Sequence, residues 1–188
     1  MIDALGLLAV AEHEFPGRVD TAAPEGIGDV VTAIYDGHQR ELFTFALRAC
    51  GDREAAEDLV HEAFVRLIVE IDAGRMPDNV RAWLYRVTAN LATTRGRRAT
   101  VARKWLGFFA VNETARGPEP MFLDVERRSD LETVLGELDP DARTALLLAA
   151  HGFSGQEIAA AIGRSDNATR TLMCRSRLRL RERLESMQ

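Results

Sequence analysis

The stretch GFSGQEIAAAIGRSDNATRTLMCRSRLRLRERL, residues Gly152 to Leu184, reads as a helix, a tight turn and a second helix loaded with arginine. Ser154 stands three residues before Glu157, so each side chain can satisfy the other's backbone N–H in a capping box. Ile158, Ala159 and Ile162 follow at helical spacing, and Gly163 occupies the place of a left-handed C-cap. Ser165 then caps a second helix expected from Asp166 to Leu184, whose apolar seam is Met173, Leu180 and Leu184. Around that seam lie Arg164, Arg170, Arg175, Arg177, Arg179, Arg181 and Arg183, opposed only by Asp166 and Glu182. An arginine-rich amphipathic helix taken alone is as readily a solvated surface helix. Preceded by a capped helix and a short turn, it fits the second helix of a helix-turn-helix, the one placed in the major groove.

Upstream of this unit the helical period continues. Ile27, Val30, Val31, Ile34, Leu42 and Phe45 mark a helix that ends before Gly51. Asp52 can cap the next, whose seam is Ala56, Leu59, Val60, Ala63, Phe64, Leu67, Ile68 and Ile71. After a loop with Gly74 and Pro77, Asp78 is placed to cap a third helix through Val80, Trp83, Leu84, Val87 and Leu91. The pattern breaks around Gly117, Pro118 and Pro120, and resumes at Leu131, Val134, Leu135 and Leu138. Asp139 and Pro140 form an N-cap and N1 pair for a helix over Ala142 to His151. No stretch alternates as a strand does. The expected fold is all-α, with two small helical domains at 26–104 and 129–188, a linker at 105–128, and an extension at 1–25 that forms a short helix or stays disordered.

The 188-residue chain carries a net charge of −5, which suits a nucleic-acid ligand only once the charge is located. Asp52, Glu54, Glu57, Asp58 and Glu62 gather on the second helix, whereas Arg95, Arg97, Arg98, Arg103 and Lys104 form a basic cluster without acids. That asymmetry calls for two kinds of partner, one cationic and one anionic. Cys50 and Cys174 stand far apart without metal-ligand spacing and read as reduced, half-buried thiols of a cytoplasmic protein. The apolar stretch from Ala4 to Ala11 is preceded by Asp3, followed by Glu12 and Glu14, and too short for a membrane span or a signal sequence. His13, His38, His61 and His151 are scattered and form no catalytic or metal-ligating group with the carboxylates Glu57, Asp58 and Glu62, so neither enzymatic activity nor a cofactor is expected.

The two halves together resemble the extracytoplasmic-function class of bacterial sigma factors in the sigma-70 family, over roughly Asp29 to Leu184. GDREAAEDLVHEAFVRLI, from Gly51, is similar to the family's core-polymerase-binding helix. VRAWLYRVTANLATTRGRR, from Val80, resembles its −10 element, and the segment from Leu138 to Leu184 resembles its −35 domain. The resemblance implies that Glu57, Asp58, Leu59 and Glu62 dock on the β′ coiled coil of core RNA polymerase, with the C-terminal domain at the β flap. It points to Trp83, Arg86 and Asn90 for the −10 element, with the loop Asp72 to Asn79, including Arg75 and Asn79, receiving a flipped base. Asn90 is the best candidate reader, and Trp83 serves either as a reader or as a core anchor. Arg95, Arg97 and Arg98 fit phosphates better than bases. On the −35 side it implies contacts from Ser165, Asn167, Arg170, Thr171, Arg175 and Arg177, with Arg170 or Arg175 able to address a guanine.

Three departures stand out. The loop AGRMPD, Ala73 to Asp78, lacks an aromatic residue common in relatives, and Arg164 and Thr169 fill positions usually apolar. The cluster Trp105, Leu106, Phe108, Phe109 and Val111 is more apolar than a linker needs, and docks either on a partner or on this chain's own domains. An anti-sigma factor is a further partner by resemblance, and membrane insertion is not expected. The competing readings are a helix-turn-helix regulator that works without core polymerase and a sigma mimic that only binds a regulator.

Overall fold

Asp52 accepts the backbone N–H of Ala55 at 2.7 Å, and Gly51, at φ 73°, ends the helix before it. This junction sets the antiparallel start of the bundle in the computed structural model, which describes residues 26–106 and 132–186. All regular elements among the described residues are helical: α1 (Ile27–Cys50), α2 (Arg53–Asp72), α3 (Val80–Leu106), α4 (Pro140–Ala150), α5 (Gly155–Ile162) and α6 (Asp166–Glu185), with one helical turn at 132–136 before α4. The stretch 1–25 and the side chains of the aromatic cluster from Trp105 to Val111 lie outside the described residues, as does most of the expected linker.

Most caps follow the sequence reading. Asp139 accepts the N–H of Asp141 and Pro140 is at N1 of α4; Ser154 and Glu157 make both halves of the capping box; Gly163 sits at φ 65°; Ser165 accepts from Ala168. The exception is α3. Its cap is Asn79, whose Oδ1 accepts the N–H of Ala82 at 2.9 Å, and Asp78 lies one residue too early to reach it.

Helices α1, α2 and α3 close around Leu42, Phe45, Ala63, Phe64, Leu67 and Leu84, and α4, α5 and α6 around Leu147, Ile158, Ile162, Met173 and Leu180. These two clusters are continuous, because α3 packs on both α4 and α5 and α1 reaches α4. Tyr85 is the bridge: fully buried on α3, its ring lies 5.0 Å from Phe45, 4.8 Å from His151 and 5.6 Å from Phe153. The seam assignments need three corrections. Ile27 is exposed because it lies in the first turn of α1, whose buried residues begin at Leu42, Ile68 is exposed at the margin of the buried arc of α2, and the α3 seam turns toward Tyr85, Thr88, Ala89 and Ala92.

Candidate nucleic-acid interface

On α2 the carboxylates divide. Glu57 binds Arg53 at 3.0 Å and Glu62 binds Arg66 at 2.7 Å, both as exposed i,i+4 pairs, whereas Asp58 is exposed without an ion-pair partner among the described residues. Asp58, Glu62, Val65 and Val69 follow one another at steps of four, three and four, so they share one helix face, and Ile68 adjoins it. Val65, Ile68 and Val69 are exposed, Val69 at 57 %. An acidic margin beside exposed aliphatic side chains suits a helical partner carrying arginine. Leu59 does not belong to this face. At 6 % exposure it points into the bundle, since its place one residue after Asp58 turns it about 100° around the axis.

Trp83, Arg86, Asn90 and Arg97 form a stripe along α3. Arg86 and Asn90 are exposed and Trp83 is half-buried against the core. Arg95 and Arg98 are exposed and without ion-pair partners among the described residues. Arg97 is engaged: Nε donates to Asp141 Oδ1 at 2.9 Å, and Nη2 donates to Asp141 Oδ2 at 2.8 Å and to the Ile162 carbonyl at 2.6 Å. In the loop before α3, Arg75 folds back on Glu70, with Nε 2.7 Å from Oε2, and Asn79 is occupied as the cap. Neither is therefore free to receive a base unless the loop rearranges. Pro77, Asp78, Asn79, Trp83 and Arg86 form one wall of a cleft of about 520 Å³, and Phe153, Gln156, Glu157 and Ala160 form the other.

The helix-turn-helix is α5, Gly163 to Ser165 and α6. Ile158, Ala159 and Ile162 of α5 and Met173, Ser176 and Leu180 of α6 are buried, and the two helices pack on each other, leaving Asn167, Arg170, Thr171, Arg175 and Arg177 exposed. Thr171 donates to the Asn167 carbonyl at 2.9 Å, and Ser165 is committed to capping. A bare cationic face on a rigid, doubly capped helix can bind phosphates and reach base edges. Both unusual positions are explained or located. Arg164 donates to Asp141 Oδ2 at 2.7 Å, so a cation is needed there, and Thr169 is buried with its hydroxyl unpartnered. Cys50 is half-buried, its thiol raised by burial, and Cys174 is exposed, contrary to expectation, because it faces the groove between α5 and α6.

Two groups escaped the sequence reading. Asp141, 1 % exposed, looks in sequence like a first-turn carboxylate of α4, and nothing in the chain announces that Arg97 and Arg164 converge on it. Glu41, Arg81, Tyr85 and His151 likewise meet from three helices. Arg81 Nη2 lies 2.6 Å from Glu41 Oε1, and the Tyr85 hydroxyl and Glu41 lie 3.3 and 3.5 Å from His151 Nδ1. Burial opposes ionisation of Glu41, but hydrogen bonds from Arg81 and Tyr85 leave its carboxyl below the usual range. Burial pushes His151 down, with Arg81 and Arg48 adding to the effect and Glu41 opposing it.

Comparison with known proteins gives these surfaces a context. Residues 34–101 match the family model described as sigma-70 region 2, and residues 128–180 match sigma-70 region 4. The chain is similar to the ECF RNA polymerase sigma factor SigE of Mycolicibacterium smegmatis, with 30 % identity over 78 % of this chain and 58 % of that one. It is also 30 % identical to the ECF RNA polymerase sigma factor EcfG of Rhodopseudomonas palustris, over 74 % of this chain and 76 % of that one. Among solved structures it resembles the sigma factor RpoE from Bartonella quintana, in complex with the anti-sigma factor NepR, with TM-score 0.61, 26 % identity, and coverage of 82 % of this chain and 96 % of that one. The chain spans only 44 to 58 % of the length of the first curated relatives it matches.

Proposed function

This chain belongs to the extracytoplasmic-function class of the sigma-70 family, and from that premise we propose that it is a sigma factor which binds core RNA polymerase and directs it to a promoter with −10 and −35 elements. The observation that carries the reading is the order on one chain of a region 2 match with an acidic, partly aliphatic helix face and a region 4 match with a bare cationic recognition helix. Asp58 and Glu62, with Val65 and Val69, meet core polymerase; Glu57 contributes charge at the margin. Asn90, Arg86 and Trp83 act at the −10 element, with Arg95, Arg97 and Arg98 on phosphates and the loop of Arg75 and Asn79 rearranging on strand opening. Asn167, Arg170, Thr171, Arg175 and Arg177 serve the −35 element, with Ser165 shaping the helix start. No helix among the described residues is long and apolar enough to cross a membrane. A factor working with core polymerase would act in the cytoplasm. An anti-sigma factor is a fitting regulator, since RpoE of Bartonella quintana was solved with one.

The test is run-off transcription with core polymerase on fragments of the source genome. Transcripts starting at defined sites behind shared −10 and −35 sequences are expected. Tight, specific duplex binding without polymerase and no core-dependent transcripts would instead indicate a helix-turn-helix regulator; binding to a regulator alone would indicate a mimic.

A further inference from the structure

We propose that Cys174 is a modification site: a low-molecular-weight disulfide carrying carboxylates, with glutathione disulfide as the probe, exchanges with its thiol and blocks the DNA-facing side of α6. The site stands on geometry; its consequence for promoter binding rests on the sigma-factor reading above.

Cys174 is exposed in the middle of α6 and lines a groove of about 780 Å³ between α5 and α6. Arg170, Cys174, Arg177 and Arg181 follow one another at steps of four, three and four, so the sulfur stands within a stripe of three arginines on one helix face. All three line the groove, and none has an ion-pair partner among the described residues. The one carboxylate among the lining residues is Asp166, more than two turns back at the start of the helix. Uncommitted guanidinium groups so placed draw an anion in and raise its concentration beside the sulfur. Phe153, Ile158 and Met173 supply apolar lining for the methylene groups of such a ligand.

A second residue points to the same occupant. Thr169 lines the groove at 1 % exposure, and its hydroxyl has no hydrogen-bond partner. Buried polar groups in folded proteins are nearly always paired, and a ligand carboxylate or peptide carbonyl in the groove would accept from this one. Cys50 has neither feature. Its thiol is half-buried, donates to the Asp52 carbonyl at 3.2 Å, and is pushed up by burial, so it is the less reactive of the two.

The deprotonated Cys174 sulfur attacks one sulfur of the incoming disulfide. The Cys174 Sγ–S bond forms as the original S–S bond breaks, and the other half leaves as a thiolate that takes up a proton from water. Cys174 is thereby oxidised and the departing half reduced, so no other oxidant enters, and a free thiol reverses the exchange by the same route. The adduct lays an anionic tripeptide along Arg170 and Arg177, beside the exposed Thr171 and Arg175. Charge meant for phosphates is neutralised and the surface meant for base edges is covered.

The test exposes the full chain to glutathione disulfide, locates adducts by peptide mass mapping, and measures promoter complexes formed with core polymerase. One adduct is expected, on Cys174 and not on Cys50. It should lower promoter complexes on the order of tenfold, the loss expected when cations facing phosphate are cancelled, and dithiothreitol should restore them. Cys174→Ser is expected to form promoter complexes normally and to ignore glutathione disulfide. Arg181→Gln, outside the proposed DNA contacts, should slow the reaction with glutathione disulfide about threefold and speed that with cystamine, a disulfide of opposite charge. Thr169→Val should slow the glutathione reaction alone. Preferential reaction at Cys50, the same response of both disulfides to Arg181→Gln, or full promoter binding by the Cys174 adduct overturns the proposal. A selective, charge-dependent adduct on a protein that forms no core-dependent promoter complexes even when reduced would support the site and count against the sigma-factor reading.

Discussion

Asn79 and Asn90 present the same amide eleven residues apart, and their surroundings assign them opposite work. Asn79 accepts the N–H of Ala82 and starts α3, whereas Asn90 is exposed on the same helix, with Oδ1 3.4 Å from the Thr94 hydroxyl. Asn79→Ala is therefore expected to lower stability by about 1 kcal/mol through loss of the cap, read as a shift in the denaturant midpoint. Asn90→Ala should leave that midpoint unchanged and reduce promoter opening more than core binding, as followed by permanganate reactivity of unpaired thymines against co-purification with polymerase. Equal loss of both activities would remove Asn90 from the reading role. Thr169 offers a third residue-level contrast. Its hydroxyl is buried without a partner, a state that costs about 1–3 kcal/mol, so Thr169→Val, close in shape, is expected to stabilise the C-terminal half by about 1 kcal/mol in the same measurement.

At the scale of the element, α2 illustrates both what was legible and what was not. Its cap and most of its seam follow from local chemistry: Asp52 is followed by apolar residues at helical spacing, and Leu67, Phe64 and Ala63 are buried as the period demands. The period does not locate the edges of the buried arc, because neighbouring residues differ by about 100° and an apolar residue on the margin fits either side. That is why Ile68 reads as core and proves exposed, whereas Leu59, which the period puts in the seam and the resemblance assigns to polymerase, is buried. In α3 the shift from Asp78 to Asn79 as cap is of the same kind, a one-residue question that only backbone geometry answers. The acidic face itself carries the element's prediction. Asp58→Arg with Glu62→Arg is expected to abolish core-polymerase binding while leaving the far-ultraviolet spectrum and the unfolding midpoint within about 0.5 kcal/mol of the original, since both side chains are outside the core. Retained binding would move the polymerase contact elsewhere.

At the scale of the whole molecule, sequence reading fails for a physical reason: it sees pairs three or four residues apart and not pairs such as Arg97 with Asp141 or Tyr85 with His151. Gly96 is a local trace of the packing of α3 on α4, a weak helix former where nothing in α3 asks for it. The contact between the two halves also carries a pH dependence whose sign is fixed by linkage. His151 is surrounded by Glu41 and Arg48 of α1, Arg81 and Tyr85 of α3, and its own helix end, and its pKa is held below 6.5 chiefly by burial. His38, on α1 near Glu41 and Arg81, is lowered for the same first reason. A base whose pKa is lower when packed binds fewer protons in the folded state than in the unfolded state, so stability rises with pH through this range. The contribution is complete above 6.5 and is lost progressively as pH falls below 6.5 toward the lower packed-state values; Glu41, depressed from 4.5, adds its own loss only in more acidic solution. Lowering the pH from about 7.5 to about 5.5 is accordingly expected to reduce the urea midpoint of the full chain. In His151→Gln, which removes the titrating ring, the pH-dependent part of this change should shrink, leaving what His38 contributes. An identical pH response in the two proteins would show that His151 does not couple protonation to stability.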